Sequence, residues 1–209
     1  SRNILTNVLV ENLFNYKKSW EAFDLNVTAG HSYQKEIVES ALIDARNFPS
    51  PAFTAISSAA TQFAEGFKAE NALDSYLGRL SGTYKNRYFL DVAFRRDGSS
   101  RFADGKRYGN FPSVSAGWVI SNESFLKEDS FISFLKLRGS YGVTGSTSSI
   151  GNYNSLALVS GGSDYLGNSG LSSNQLANPN LTWEQASSVN FGLDLYFLED
   201  RIKLTMDYY

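Results

Sequence analysis

Residues 189–209 read VNFGLDLYFLEDRIKLTMDYY, and this stretch decides the fold. Apolar side chains recur at every second position, first from Val189 to Phe197 and again from Ile202 to Tyr208. A charged turn at 198–201 separates the two runs. Since successive side chains of a strand point to opposite faces, each run predicts a strand with one apolar and one polar face. The stretch therefore predicts a β-hairpin whose apolar face needs a hydrophobic partner.

The same alternation recurs upstream and predicts an all-β chain. Eight strands are predicted, at about Ile4–Asn15, Phe23–Gly30, Tyr76–Lys85, Tyr88–Arg95, Val114–Ile120, Leu135–Thr144, Val189–Phe197 and Ile202–Tyr209. Each is about ten residues long, which is the length that a tilted strand needs to cross a bilayer. The predicted fold is an antiparallel transmembrane β-barrel fragment made of four hairpins.

The connections between the predicted strands alternate between short and long. Short connections are expected at 15–20, 85–87, 121–134 and 198–201, and long ones at 34–75, 97–110 and 145–185. Compact soluble domains rarely contain structureless connections longer than about 15 residues. Outer-membrane barrels, by contrast, combine short periplasmic turns with long outer loops. The spacing of the strands therefore favours a barrel.

Two helical segments are predicted within these connections. Residues 36–45 place apolar side chains at helical spacing and predict a short helix, which Pro49 and Pro51 would then end. A single helical turn is expected to begin at Asn122. The third long connection is rich in Ser, Gly and Asn, a composition typical of a flexible loop with a binding surface.

The composition excludes several classes of protein. The formal net charge of −2 argues against a nucleic-acid binder that relies on phosphate contacts. Cysteine is absent, and the single histidine, His31, cannot form a histidine-based metal cluster or a convincing catalytic triad. His31 is expected to be a surface residue at a strand end, and no cofactor site is predicted. No run of about 18 apolar residues exists, so no transmembrane helix is predicted.

Three interpretations of the pattern stay open. The first is a fragment of a transmembrane barrel, since the alternation begins directly after Ser1 and still continues at Tyr209, which predicts a chain cut at both ends. The second is a soluble carbohydrate-binding β-sandwich whose long loops hold the ligand. The third is a small, complete eight-stranded barrel with an adhesive or structural role. In a sandwich the apolar faces of two sheets must meet, whereas in a barrel the face opposite the apolar one lines a polar lumen.

Four motifs carry a resemblance to one family. They are Arg95–Phe102 followed by Arg107–Ser113, then Ser115–Trp118, then Leu137–Gly145, and last Ala177–Glu184 leading into Asn190–Asp194. Together and in this order they resemble the SusC/RagA family of TonB-dependent outer-membrane transporters. The resemblance covers most of the chain from Tyr76 to Tyr209, while residues 1–75 fit the preceding barrel region by pattern only.

The resemblance implies a fold and a function that periodicity alone does not show. The family's barrel has about 22 strands closed around an N-terminal plug. It imports oligosaccharide or peptide fragments across the outer membrane with energy from the TonB complex, and a SusD-like surface lipoprotein covers it as a lid. The family members are transporters and not enzymes. By this resemblance, residues 1–209 are part of one barrel domain, with the plug, the TonB-contact region and the remaining strands absent.

Three residues are candidates for substrate contact: Arg95, Arg101 and Trp183. The two arginines lie where a predicted strand leaves the membrane, where they would meet polar substrate or lipid phosphate, or else form salt bridges with Asp91, Asp97 or Asp104. Trp183 would stack on a sugar face or anchor a loop on the barrel rim. Gly139, Gly142 and Gly145 would pack against aromatic rings, Trp118 and Tyr141 would belong to an interfacial girdle, and Glu123 and Glu128 would be solvated turn carboxylates.

Overall fold

Eight long strands form one antiparallel sheet in the computed structural model, which describes residues 1–126 and 131–209. The strands are β1 (Arg2–Ser19), β2 (Phe23–Arg46), β3 (Thr61–Tyr84), β4 (Tyr88–Ser99), β5 (Tyr108–Val119), β6 (Ile132–Ser146), β9 (Glu184–Phe197) and β10 (Ile202–Tyr208). Two short strands, β7 (Leu158–Gly161) and β8 (Leu171–Gln175), pair only with each other. The large sheet follows the order of the chain, so every neighbour is joined by one connection. The prediction of eight antiparallel strands in four hairpins is confirmed.

The predicted strict alternation of short and long connections is confirmed only in part, because the connection at 120–131 has 12 residues and the one at 100–107 has eight. The connections called short here span 20–22, 85–87, 120–131 and 198–201, and those called long span 47–60, 100–107 and 147–183. Two of the short turns use left-handed backbone: Lys85 and Asn86 have φ values of 51° and 52°, and Leu198, Glu199 and Asp200 lie between 52° and 65°. All short connections lie at one end of the sheet and all long ones at the other, because the strands are antiparallel.

The helix predicted at 36–45 is wrong, because these residues belong to the second half of β2. β2 and β3 each contain 24 residues, far more than the predicted ten, and they pair without a break from Phe23–Tyr84 to Arg46–Thr61. The long connection predicted at 34–75 therefore shrinks to 47–60. The turn expected to begin at Asn122 is a 3₁₀ turn at Ile120–Asn122. Within the described residues, no helix is long and apolar enough to cross a membrane.

The register places apolar and polar side chains in separate rows across the sheet. One row of directly opposed residues is Val27, Leu80, Val92, Val114, Tyr141 and Val189. The adjacent row is Asn26, Ser81, Asp91, Ser115, Ser140 and Asn190. Since adjacent residues of a strand point to opposite faces, the first row defines an apolar face and the second a polar face. Large apolar residues such as Leu80, Val92 and Val114 are exposed on the apolar face.

The one cluster of buried apolar side chains among the described residues lies at the end with the long connections. Phe102, Phe111 and Trp183 form an aromatic loop cluster, and partly buried apolar residues from β3, β6 and the third long connection pack against it. Among the described residues, no second sheet covers the apolar face of the large sheet. The meeting of two apolar sheet faces that the sandwich interpretation requires is therefore not found among these residues. Nor do β1 and β10 pair with each other, so these strands do not close into a small barrel of their own.

Candidate functional site

Arg138 organises one half of the polar face. It projects from β6, and its guanidinium contacts Asp194 of β9 (Nε to Oδ2, 2.9 Å) and Asp207 of β10 (Nη2 to Oδ1, 2.9 Å). Gly192 lies directly opposite Arg138, and a Cβ at that position would be 2.6 Å from the guanidinium carbon. The glycine therefore provides the space in which one arginine links three strands.

Asp91 organises the other half of the polar face. Its carboxylate accepts hydrogen bonds from Arg79 (Nη2, 2.7 Å) and from the hydroxyl of Ser81 (2.6 Å), both on the neighbouring strand β3. A concavity of about 340 Å³ opens between the two ionic groups, lined by residues that include Asp91, Ser115 and Arg138. Ion pairs on a solvent-accessible surface are suited to contacts with polar groups of a ligand or of another protein segment.

Arg95 continues the polar face toward the long connections. Its Nε donates to both carboxylate oxygens of Asp97, at 2.7 and 2.8 Å, and more than half of the arginine side chain is exposed. This ion pair is one of those expected from the sequence. The exposed side of the guanidinium faces solvent at the level where β4 ends at Ser99.

Arg101 joins two long connections. Its Nη1 donates to the carbonyl oxygens of Thr147 (2.8 Å) and Ile150 (3.0 Å), which lie at the beginning of the third long connection. The neighbouring Phe102 is only 1% exposed. The expected salt bridge from Arg101 to an aspartate is not found among the described residues, since Asp97 pairs with Arg95 and Asp104 with Arg107.

Trp183 lies in the aromatic loop cluster, where it is 9% exposed. Its ring centroid is 5.3 Å from those of Phe102 and Phe111, and its indole N–H donates to the carbonyl oxygen of Arg107 at 2.8 Å. A Cβ at Gly145 would overlap the ring of Phe111. The structure thus brings Arg101 and Trp183 together in the packing of the long connections, while Arg95 lies apart on a strand.

Glu123 is bonded, which corrects the expectation of a solvated turn carboxylate. It is 11% exposed and accepts hydrogen bonds from the hydroxyl of Tyr88 (2.6 Å), the indole of Trp118 (3.1 Å) and Nη1 of Arg87 (3.1 Å). The hydrogen bond from Tyr88 is the main cause of a pKa below the ordinary value for this carboxyl. Tyr88 also stacks on Trp118, as expected of a girdle at this end. Glu128 lies outside the described residues.

His31 lies in the middle of β2, which corrects its predicted place at a strand end. Its Nε2 is 2.7 Å from Oδ1 of Asp74, and Oδ2 of Asp74 accepts a hydrogen bond from the hydroxyl of Tyr108 at 2.8 Å. The described residues contain no cluster of three or more histidine or acidic side chains suited to a metal ion.

The sequence interpretation missed Arg138, Asp74 and the partners of Glu123. Most of these contacts join residues far apart in the chain, such as Tyr108–Asp74 at 34 positions and Arg138–Asp194 at 56 positions. Trp118 is the exception, since it lies five positions from Glu123. The one available signal was the alternation of Arg138 and Asp194 with apolar neighbours, which placed both on a polar face. It gave no information about which strands lie side by side.

A family model described as TonB dependent receptor-like, beta-barrel matches residues 3–209. The chain belongs to this family. This TonB-dependent receptor barrel chain is 36% identical over 210 residues to TonB-dependent receptor P3 of Formosa agariphila, covering 98% of this chain and 21% of that protein. It is 38% identical over 149 residues to TonB-dependent receptor SusC of Bacteroides thetaiotaomicron, covering 68% of this chain and 15% of that protein. The resemblance drawn from the four motifs is confirmed.

Solved structures agree with this assignment. The receptor chain matches the RagAB peptide importer in its closed-closed state with a TM-score of 0.87 and 31% identity, covering 98% of this chain and 23% of that one. The match to the open-open state of the same importer has a TM-score of 0.83 and 33% identity. The receptor chain therefore spans about a fifth of the length of the relatives it matches.

The family assignment gives the two faces of the sheet their surroundings. The chain is part of an outer-membrane β-barrel and belongs to a family of receptors and transporters, not enzymes. In such barrels the outward band is apolar and the interior is polar. The apolar face therefore contacts lipid, and the polar face with Arg138, Asp91 and Arg95 lines the interior. The soluble sandwich interpretation is wrong.

Proposed function

We propose that residues 1–209 are part of the single barrel domain of an outer-membrane transporter that imports glycan or peptide fragments with energy from TonB. The observation that carries this proposal is the polar face, where Arg79–Asp91 and Arg138–Asp194 ion pairs surround an open concavity beside a lipid-facing apolar surface. The relatives named SusC and the RagAB peptide importer support it. The plug, the remaining strands and the contact region for TonB belong to the rest of the protein in this proposal.

A SusD-like surface lipoprotein is the second component of the proposal. The connection between β6 and β9 carries the β7–β8 hairpin, which lies at the end of the sheet with the long connections. Its large apolar side chains are unusually exposed, among them Val159, Tyr165, Leu166, Leu171 and Leu176. Exposed apolar groups grouped on one segment are typical of an interaction surface. They support a protein partner that covers the outer opening of the barrel.

Arg95, Arg101 and Trp183 are proposed to contact substrate. Arg95 has the most favourable position, since its guanidinium is more than half exposed on the face that lines the interior. Arg101 and Trp183 would contribute through the second and third long connections, which their hydrogen bonds hold together. Replacing Arg95 with Gln tests the first assignment, and Lys106→Gln, in the neighbouring long connection, serves as the matched control.

The test of the proposed function is uptake in the source bacterium. We expect that deletion of the gene abolishes the import of one class of nutrient, either oligosaccharides or peptides, and that the full-length gene restores it. Cells are compared on defined oligosaccharide and peptide mixtures as the only carbon or nitrogen source. Unchanged uptake of all mixtures in the deletion strain would contradict the proposal.

A further inference from the structure

The strand β3 continues well beyond the end of its neighbour β4. The last paired residues of the two strands are Leu73 and Ser99, after which β4 turns away into the second long connection. β3 itself extends to Thr61 and remains paired with β2 along its whole length. One edge of β3, from Thr61 to Ala72, is therefore exposed beyond the main sheet.

The backbone groups of this edge have a defined direction. The carbonyl oxygen of Ala72 accepts a hydrogen bond from the N–H of Ser100 at 3.0 Å, so the backbone groups of Ala72 point toward the β4 side. In an antiparallel strand the backbone N–H and C=O groups of every second residue point toward the same neighbouring strand. The N–H of Glu70 follows this rule and donates to the hydroxyl of Tyr153 at 2.9 Å.

Four further residues of β3 continue the same edge: Gln62, Ala64, Gly66 and Lys68. None of them has a backbone partner on that side among the residues that the structure describes. Two devices that usually protect an edge are missing from this segment of β3, since it contains no proline and its register with β2 has no bulge. A third device, charged side chains, is present as Glu65, Lys68 and Glu70. Nζ of Lys68 lies 3.0 Å from Oε1 of Glu39, so the charge of this lysine is paired and does not by itself protect the edge.

The side chains along this edge suit an extended ligand. Phe63 and Phe67 share the parity of Ser81 and so lie on the polar, interior-lining face, where they are 52% and 59% exposed. On the opposite face the edge carries only the small residues Ala64 and Gly66 between Gln62 and Lys68. The two exposed rings lie two strand repeats apart, with Glu65 between them on the same face, and would contact side chains four residues apart on a strand lying alongside.

We propose that the edge of β3 from Gln62 to Lys68 binds an extended peptide as an added strand. This inference deepens the proposed function and rests on it, because it names peptides as the substrate class. A peptide presents an N–H and a C=O toward one side at every second residue, which matches the free groups of the edge. An oligosaccharide has no such repeat of amide donors and acceptors.

The test uses the full-length transporter with its partner lipoprotein and the variant Ala64→Pro. Proline at this position removes an N–H of the free edge and none of the hydrogen bonds to β2, so the sheet should be retained. Ala64→Val is the matched control, since it changes the side chain and keeps the N–H. The immobilised complex is exposed to a tryptic digest of casein and, separately, to maltooligosaccharides, and the retained molecules are quantified by mass spectrometry.

We expect wild type and Ala64→Val to retain peptides and Ala64→Pro to retain about tenfold less. The best retained peptide, synthesised with N-methyl groups at every second residue, should also bind wild type about tenfold more weakly, which tests the edge without any change to the protein. Equal retention by Ala64→Pro and wild type, undiminished binding of the N-methylated peptide, or retention of oligosaccharides alone would overturn the inference. If gene deletion still abolishes uptake in that case, the proposed transport function survives its loss.

Discussion

Gly145 lies at the end of β6, just before the third long connection, and the choice of residue at this position is strongly constrained. Its missing side chain leaves room for the ring of Phe111, which a Cβ would overlap. We expect Gly145→Ala to destabilise the aromatic loop cluster by about 1–3 kcal/mol, because a close-packed ring cannot yield without strain. Gly139→Ala is the control, since its Cβ would lie at an ordinary 3.7 Å from Phe191. Thermal unfolding of the two full-length variants in detergent measures the difference, and equal melting temperatures would contradict the argument.

Glu123 makes the stability of the short-turn end dependent on pH. Its folded-state pKa lies below its ordinary value of 4.5, because Tyr88, Trp118 and Arg87 favour the charged form. A depressed carboxyl pKa contributes stability above the ordinary pKa, and this contribution is lost as the pH falls through the folded-state pKa.

We therefore expect the stability of the wild-type protein to fall more steeply below pH 4.5 than that of the variant Glu123→Gln. Denaturant titrations of the full-length protein at a series of pH values measure this, with Trp fluorescence as the signal. Glu199→Gln, in the exposed turn between β9 and β10, is the control and should keep the wild-type slope. Parallel curves for wild type and Glu123→Gln would refute the assignment.

At the scale of elements, Arg101 determines where the longest connection begins. Its two hydrogen bonds hold the carbonyl oxygens of Thr147 and Ile150 against the second long connection. We expect Arg101→Ala to make the connection at 147–183 several times more sensitive to limited proteolysis, because Thr147 and Ile150 at its beginning lose their hydrogen bonds to the arginine. Lys106→Ala, in the same long connection as Arg101, is the control. Identical cleavage rates for the two variants would show that the aromatic loop cluster alone holds the beginning of the connection at 147–183.

The sequence predicted the existence and the order of the main strands but not the length of the longest ones. Up to His31 the alternation of apolar and polar residues is plain, and this half of β2 was predicted. Beyond it, charged residues interrupt the alternation, and some of them are neutralised across the sheet, as in the pairs Lys35–Glu70 and Glu39–Lys68. A hydropathy pattern does not register such pairs, because each is formed by two distant segments. The apolar residues left between them happen to have helical spacing.

At the scale of the whole molecule, the two faces of the sheet should respond differently to charge. Val92 belongs to the lipid-facing row, and Ser115 to the polar row, one residue out of phase on the neighbouring strand. We expect Val92→Arg to cost about 2–4 kcal/mol, the penalty for a charge facing the middle of the bilayer, and Ser115→Arg to cost much less. Urea unfolding of the full-length protein in lipid vesicles compares them. Equal losses would contradict the assignment of the faces.

The candidate site was predictable in part, and the reason lies in distance along the chain. The ion pair Arg95–Asp97 joins residues two positions apart and was foreseen from the motif. The links from Arg138 to Asp194 and from Trp183 to Arg107 join residues 56 and 76 positions apart. Such links depend on which strands and loops become neighbours, which no local pattern states. The motif residues were recognised, but their contacts with distant strands and loops were not.

The continuous register of the rows also limits how a gene for such a barrel can change. An insertion of one codon within β5 would turn every later side chain of that strand to the opposite face and place Ser115 or its neighbours in lipid. An insertion of two codons keeps the alternation. Changes in length should therefore survive selection mainly in the connections, or in pairs within a strand, so that the long outer loops become the part of the gene that is free to diversify.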